Sequence, residues 1–502
     1  MTKQQTSKKS VTGLLLLNLI KLDFIGLDTH YTIATGESTR RIYLDSTAST
    51  LMMGPAYRSA NQFLEHYANT HSNMHFSARI STESFKWAHD RILKFVGADS
   101  EEYTCFFTGS GTTSGMNRIA RAFKHYRPER EVVLVSIMEH HSNDLPHRKH
   151  GGKVIHIPVD THESKMGCID LDMLEKYLKL HKHQVNYVSV TGISNVTGII
   201  NPINQVAELA HRYDAFIVVD GAQMAAHVPV KMGGHKNPLQ DVDALIFSGH
   251  KTYAPGSPGV VIVKKSLISN MEPEEVGGGM VDRVFPDRYF VKEEFPDREE
   301  AGTPNIFGAV LLGSAVHILD KIGMGNVLNE DMSITNKTLQ EMLKMSEIII
   351  YGDTDYQICP RAGSISFNIK GMNHGLVAAI LNDYFNIAVR NECFCAHPYV
   401  EKMLELTHAS QIKKAREQNL VNWHTEPWMG MVRASFGLYS SENDVEHFIH
   451  ALWDMIEHQK KYEQDYFINE MGDYEHKTFK FSSFEYFSPN VVIDHSIIHQ
   501  KK

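Results

Sequence analysis

From about Tyr43 to Asn305 the chain alternates short apolar runs with longer amphipathic stretches, a rhythm that few folds accommodate. The runs are Glu131–Ser136 (EVVLVS), Lys153–Val159 (KVIHIPV), Val185–Thr191 (VNYVSVT), Ala215–Val219 (AFIVV) and Ala244–Phe247 (ALIF). Helical patterns such as Asp170–Leu180 and Pro202–Tyr213 separate them. Strands apolar on both faces need cover on both sides, and intervening helices supply it when the strands run parallel. The expected fold class is therefore α/β, with ligands bound at the carboxyl ends of the strands.

At 502 residues the chain exceeds what one core serves, so more than one domain is expected. A large domain is read over 43–307. A smaller C-terminal α+β domain follows over 308–462, with strand-like Ser364–Ile369 and Ile387–Val389 and a last helix from about Asn443 to Tyr462. Residues 1–42 are expected to pack on the small domain. The extension 463–502 is aromatic and polar without a period and is assigned no structure. The run Leu14–Leu17 is too short to span a bilayer, and Lys21 and Asp23 follow at once. No secretory cleavage pattern follows it, so a packing helix, a cytosolic protein and no membrane partner are expected. With 50 Lys and Arg against 59 acids, the net charge of −9 argues against a nucleic-acid partner held by general electrostatics. The five irregularly spaced cysteines fit free thiols in a reducing compartment.

The chemistry-bearing residues fall at strand ends. Asp220 closes the run before Gly-Ala-Gln223; alone, it would equally cap the next helix. Lys251 ends Phe-Ser-Gly-His-Lys (247–251), with Ser248 and His250 beside it. A lone loop lysine is usually a solvated charge, but here it follows Asp220 by one strand–loop unit. Thr108-Gly-Ser-Gly-Thr-Thr-Ser-Gly-Met-Asn117 precedes a helix pattern; such N–H groups bind anions, although the spacing is not that of a nucleotide P-loop. Glu139-His-His-Ser-Asn143 offers His140 as a stacking, proton-shuttling ring. A metal is not expected, because adjacent histidines point apart and no third ligand is evident. A lysine, a carboxylate, a stacking ring and a phosphate cradle together are what a pyridoxal-phosphate site needs.

These motifs resemble the class V aminotransferase superfamily, fold type I, and within it the group II cysteine desulfurase and selenocysteine lyase branch. The resemblance runs from about Tyr43 to Leu452. It includes Tyr43-Leu-Asp-Ser-Thr-Ala-Ser49, Ser194-Asn-Val-Thr-Gly198, Gly277-Gly-Gly-Met280, Ala301-Gly-Thr-Pro-Asn305 and Ala388-Val-Arg390, in the family's order. It implies a large domain on a mostly parallel seven-stranded sheet, a smaller C-terminal α+β domain and pyridoxal 5'-phosphate as cofactor. Lys251 would carry the cofactor, and Thr113 (or Thr112), Ser248 and His250 would bind its phosphate. Asp220 would meet the pyridine nitrogen, Gln223 the phenolic oxygen and His140 the ring face. Asn195 would lie near the substrate carboxylate. Thr303 would reach the phosphate of a neighbouring subunit's cofactor, which implies a homodimer.

In Arg390-Asn-Glu-Cys-Phe-Cys-Ala-His-Pro-Tyr399 the resemblance puts Cys395 at the persulfide position, and Cys-Phe-Cys is similar to the desulfurase domain of molybdenum-cofactor sulfurases. A thiolate nucleophile needs a base or a cationic field, for which Arg390, also expected to bind substrate, and the cationic cofactor site are sources. Arg433 would hold the substrate carboxylate by a two-pronged bond. The implied reaction takes sulfur or selenium from L-cysteine or L-selenocysteine to give alanine, with Lys251, Cys395 and His140 catalytic and a sulfur-acceptor protein as partner. Asn391 and Glu392 stand where the family prefers a small residue and glycine, and Cys393 and Phe394 where it carries two histidines. Ser72 and Asn73 replace arginine and glycine, and the stretch from Cys395 to Arg433, with Trp423 and Trp428, is longer than in familiar members. Two other readings stand beside this one. One is a class V aminotransferase, epimerase or lyase that uses no thiol, with Cys393 and Cys395 as small core residues on one strand face. The other is a non-catalytic sulfur-relay or scaffold protein.

Overall fold

A computed structural model of the chain describes residues 11–70, 72–417 and 430–499. Seven strands form the main sheet: β1 (Tyr103–Thr108), β2 (Val132–Ser136), β3 (Lys153–Ile157), β4 (Val185–Thr191), β5 (Phe216–Asp220), β6 (Ala244–Ser248) and β7 (Gly259–Lys264). They lie in the order β1-β7-β6-β5-β4-β2-β3, and β7 alone runs antiparallel to its neighbours. Five of these strands coincide with the apolar runs read from the sequence. The sheet is buried on both faces by helices including Gly111–Tyr126, Leu171–Leu180 and Ile203–Arg212. Asp170 caps the second of these, its side chain accepting from the Met173 N–H. Because β1, β2, β4, β5 and β6 are parallel, the loops after all five leave the sheet on one edge. That edge collects every strand-end residue singled out above.

A second, smaller sheet is antiparallel: β8 (Ile348–Ile350), β9 (Ser364–Ile369), β10 (Arg390–Glu392) and β11 (Met431–Ser435), in the order β8-β9-β11-β10. It has its own core, in which Phe367, Ile369, Val432 and Ala434 meet Val377, Ile380, Phe448 and Leu452 from two helices. The segment before residue 43 divides its packing. Helix Gly13–Ile20 sinks Leu17 and Ile20 into the large core, whereas Ile42–Tyr43 pairs in parallel with Ile387–Ala388 of the small domain. Among the described residues no single helix is long and apolar enough to cross a membrane.

Two expectations are corrected. The extension after Tyr462 is folded: Tyr466–Ile468 and Tyr474–His476 form a hairpin, and helices Ser483–Tyr486 and Pro489–His499 follow. Its order comes from aromatic contacts, Tyr466 against His476 and Tyr384 against both Tyr462 and His476, which leave no local period to read. Nor are all five thiols free, since Cys168 and Cys359 are joined by a disulfide across 191 residues. Sequence spacing cannot report such a long-range approach.

Candidate active site

The helix after β1 begins at Gly111, whose φ of +58° belongs to the left-handed region. A Cβ there would stand 2.5 Å from Ser248 Oγ, so only glycine lets the loop after β1 approach the loop after β6. The contact is then closed by the Thr112 N–H donating to Ser248 Oγ at 2.8 Å and by the two hydroxyls at 2.8 Å. Thr113 Oγ1 pairs with Ser142 Oγ at 2.7 Å. Hydroxyls and the first N–H groups of a helix of 16 residues thus line one wall of a cavity of about 240 Å³. Such a wall attracts an anion.

The opposite wall carries Asp220 and Lys251 from consecutive strand ends, with His140, Asn195, Gln223 and His250 around them. Burial pushes the Asp220 carboxyl up, against the Ala222 N–H bonded to it at 2.9 Å and the charge of Lys251. Burial likewise pushes the Lys251 ammonium down, while Asp220 pulls it back up. His140 is pushed down to about 3, first by burial and then by the Lys251 charge, so its ring is neutral and able to stack. Its Nδ1 accepts from the Ser142 N–H at 3.0 Å, which fixes the tautomer and ring orientation. His250 is held down at about 4 by the same two causes. Gln223 Nε2 donates to the Thr47 carbonyl at 2.9 Å and keeps a second hydrogen for another acceptor.

Beyond this wall lies the thiol loop. Strand β10 ends at Glu392, and the Ala396 N–H then donates to the Cys393 carbonyl at 2.8 Å, closing a four-residue turn. Its central residues, Phe394 and Cys395, have φ of +51° and +54°. Left-handed backbone costs a residue with a Cβ about 1–2 kcal/mol, so the surroundings must impose it. Asn195 Nδ2 donates to the Phe394 carbonyl at 2.8 Å, the His141 N–H donates to the Cys395 carbonyl at 2.7 Å, and the Arg433 guanidinium stacks on the Phe394 ring at 4.7 Å. Phe394 is buried and Cys395 is exposed. The alternative of both cysteines on one strand face is overturned, because they belong to a turn.

Residues 42–448 match the family model for aminotransferase class-V, which is most of the chain. The chain belongs to the class V aminotransferase family. It is 30% identical over 430 residues to a probable cysteine desulfurase of Halalkalibacterium halodurans, covering 84% of this chain and 93% of that protein. It is 29% identical to a cysteine desulfurase of Escherichia coli, covering 82% and 92%. Among solved structures it resembles the apo cysteine desulfurase of Thermococcus onnurineus NA1, with a TM-score of 0.70 at 29% identity, covering 83% and 95%.

In this class V chain Arg433 is held on several sides. Its guanidinium donates to the Asn195 carbonyl at 2.8 Å and to Asp45 Oδ1 at 3.3 Å. Its Nε is buried without a hydrogen-bond partner among the described residues, and burial pushes its charge down to about 10. Arg390 lies outside the cavity lining, exposed, 3.9 Å from Asp45 Oδ2. Thr303 lines a separate cavity of about 250 Å³ and accepts from Asn69 Nδ2 at 3.0 Å. Trp423 and Trp428 lie outside the described residues.

Two carboxylates of this class V site escaped the sequence reading. Asp45 had as its signal only its place in the opening Tyr-Leu-Asp motif. Glu139 had its place beside His140. Glu139 is buried beneath the site, where it accepts from Ser136 Oγ at 2.6 Å, Asn143 Nδ2 at 2.5 Å and the Thr191 N–H at 2.8 Å. Burial drives it up to about 8, with Asp220 adding to the shift. It ties the loop that carries His140 to β4.

Proposed function

We propose that the chain is a homodimeric pyridoxal-phosphate enzyme that removes sulfur (or selenium) from L-cysteine (or L-selenocysteine), leaving alanine and a persulfide on Cys395. The observation that carries this reading is the joining of two parts. Asn195 lines the lysine cavity and also holds the carbonyl next to an exposed, strained thiol.

The residues present fit the cofactor. Gly111 makes a cradle that any Cβ would fill, at a helix start suited to a phosphate. Asp220 is a buried carboxylate suited to a protonated pyridine nitrogen, and the neutral His140 ring suits the flat face. Lys251 would hold the group, Ser248, His250 and Thr112 or Thr113 its phosphate, and Gln223 its phenolic oxygen. Bound there, the cofactor supplies an electron sink for the electrons released at the substrate Cα. Thr303, on a wall of another cavity, suits a partner subunit's phosphate.

The chain's own groups do the rest. Lys251, pushed towards its neutral form by burial, moves the proton from the substrate Cα. Arg433 holds the substrate carboxylate, for which it already has the Asp45 carboxylate as a neighbour. Cys395 Sγ attacks the substrate sulfur: the Sγ–S bond forms, the substrate Cβ–S bond breaks, the pair left on Cβ takes the proton given up by the thiol, and Lys251 returns the proton to Cα, giving alanine. An exposed persulfide then suits delivery to a sulfur-acceptor protein. The test is incubation of the holoenzyme with L-cysteine and a thiol reductant, assaying alanine and sulfide together. Equal amounts of both, lost in Lys251→Ala, support the reading. Alanine without sulfide, or neither product, overturns it.

A further inference from the structure

Cys393 has no part in that reaction, yet it occupies the first position of the turn that presents Cys395. Neither cysteine is in a disulfide. Two virtual bonds of about 3.8 Å, folded through the left-handed bend at Phe394, leave the Cα atoms of Cys393 and Cys395 roughly 5–6 Å apart. That falls inside the span a disulfide bridges. The backbone around the pair is pinned at three carbonyls, those of Cys393, Phe394 and Cys395, so the turn that sets their Cα separation is already built. The thiols differ in setting: Cys395 is exposed, and Cys393 is half-buried against the large core.

Resting on the desulfurase reading, we propose that Cys393 is a resolving thiol. When no acceptor takes the sulfur, Cys393 Sγ attacks Cys395 Sγ of the persulfide, the bond between Cys395 Sγ and the outer sulfur breaks, and a Cys393–Cys395 disulfide forms. The outer sulfur leaves with both electrons of that bond and, with the Cys393 proton and its own, departs as hydrogen sulfide. One sulfane sulfur is reduced, and two cysteines are oxidised to a disulfide. The enzyme is then off until a dithiol reductant reopens the pair. Acceptor supply thereby sets whether the enzyme stays active.

The burial of Cys393, with help from Glu401, pushes its thiol up to about 11. Only a small thiolate fraction exists near neutrality, so ring closure is slow and an acceptor competes first. Closure should quicken close to tenfold per pH unit between about 7 and 9.

The experiment gives reduced holoenzyme L-cysteine without reductant or acceptor, removes the substrate, and follows intact mass over time. The wild type should first gain the mass of one sulfur per chain and then fall below its starting mass by two hydrogens, in step with sulfide release and loss of activity. A dithiol should restore both mass and activity. Cys393→Ser and Cys393→Ala should keep the added sulfur and stay ready to pass it to a small thiol; either suffices if the other folds poorly. A wild type that keeps its added sulfur as long as the Cys393 variants overturns the resolving role while leaving the desulfurase reading intact. A wild type that never gains sulfur overturns both.

Discussion

The lysine cavity and the thiol loop lie side by side but are held by different means. The cavity is assembled from five parallel strand ends, and its shape follows from the register of the sheet and from one glycine, Gly111. The loop has no sheet behind it after Glu392. Its left-handed residues are kept in place by Asn195, the His141 N–H and the Arg433 stack. A site made of strand ends tolerates little change in chemistry, whereas a loop pinned by three contacts can be varied without touching the cavity.

The strongest way to break the comparison is at Lys251. Lys251→Ala should lower turnover by at least about 10³-fold, because it removes both the cofactor tether and the proton carrier. Steady-state alanine release checks this. Asp220→Asn should cost about 10²-fold in turnover by removing the charge that the buried wall presents, with weaker cofactor retention on dialysis. In the loop, Asn195→Ala should cost about tenfold in kcat and about 1 kcal/mol of stability, since one hydrogen bond to Phe394 is lost while the cavity persists. An equal loss of bound cofactor would blur the two regions into one.

A further effect is a slope, read from stability and not from turnover. Glu139, whose folded value of about 8 lies above its unfolded one, favours the fold fully only below about pH 4.5 and withdraws that support as pH rises through 8. Glu139→Gln should therefore flatten the fall in stability with rising pH in that window, on the order of 1 kcal/mol per pH unit, read from urea midpoints. His147 acts in the opposite sense. Fully buried between Tyr187 and Asn143 and held down at about 3, it gives stability that is present above about pH 6.5 and lost as pH falls towards 3. His147→Gln should soften the acid limb by a comparable slope.

Much of this was legible in the sequence because parallel strands write themselves as apolar runs. Asp220, Lys251 and His140 each follow such a run, and the α/β fold with its seven-stranded sheet follows from the same signal joined to the family's motif order. The turn at Cys393–Ala396 was not legible, because neither Phe394 nor Cys395 is a residue that advertises positive φ. Glu139 carries no signal of its own, because a buried, hydrogen-bonded carboxylate and a surface one read alike in sequence. The extension after Tyr462 and the Cys168–Cys359 link depend on partners far along the chain, which local patterns cannot report.

The proposed function divides the labour between a cavity for the cofactor and a loop for the sulfur chemistry, and Cys395→Ala probes that division at its joint. Bound cofactor, measured by visible absorbance per chain, and production of alanine and sulfide from L-cysteine are compared with the wild type. Wild-type cofactor content with both products lost is the expected result. Sulfide and alanine released at the wild-type rate by Cys395→Ala would contradict the division.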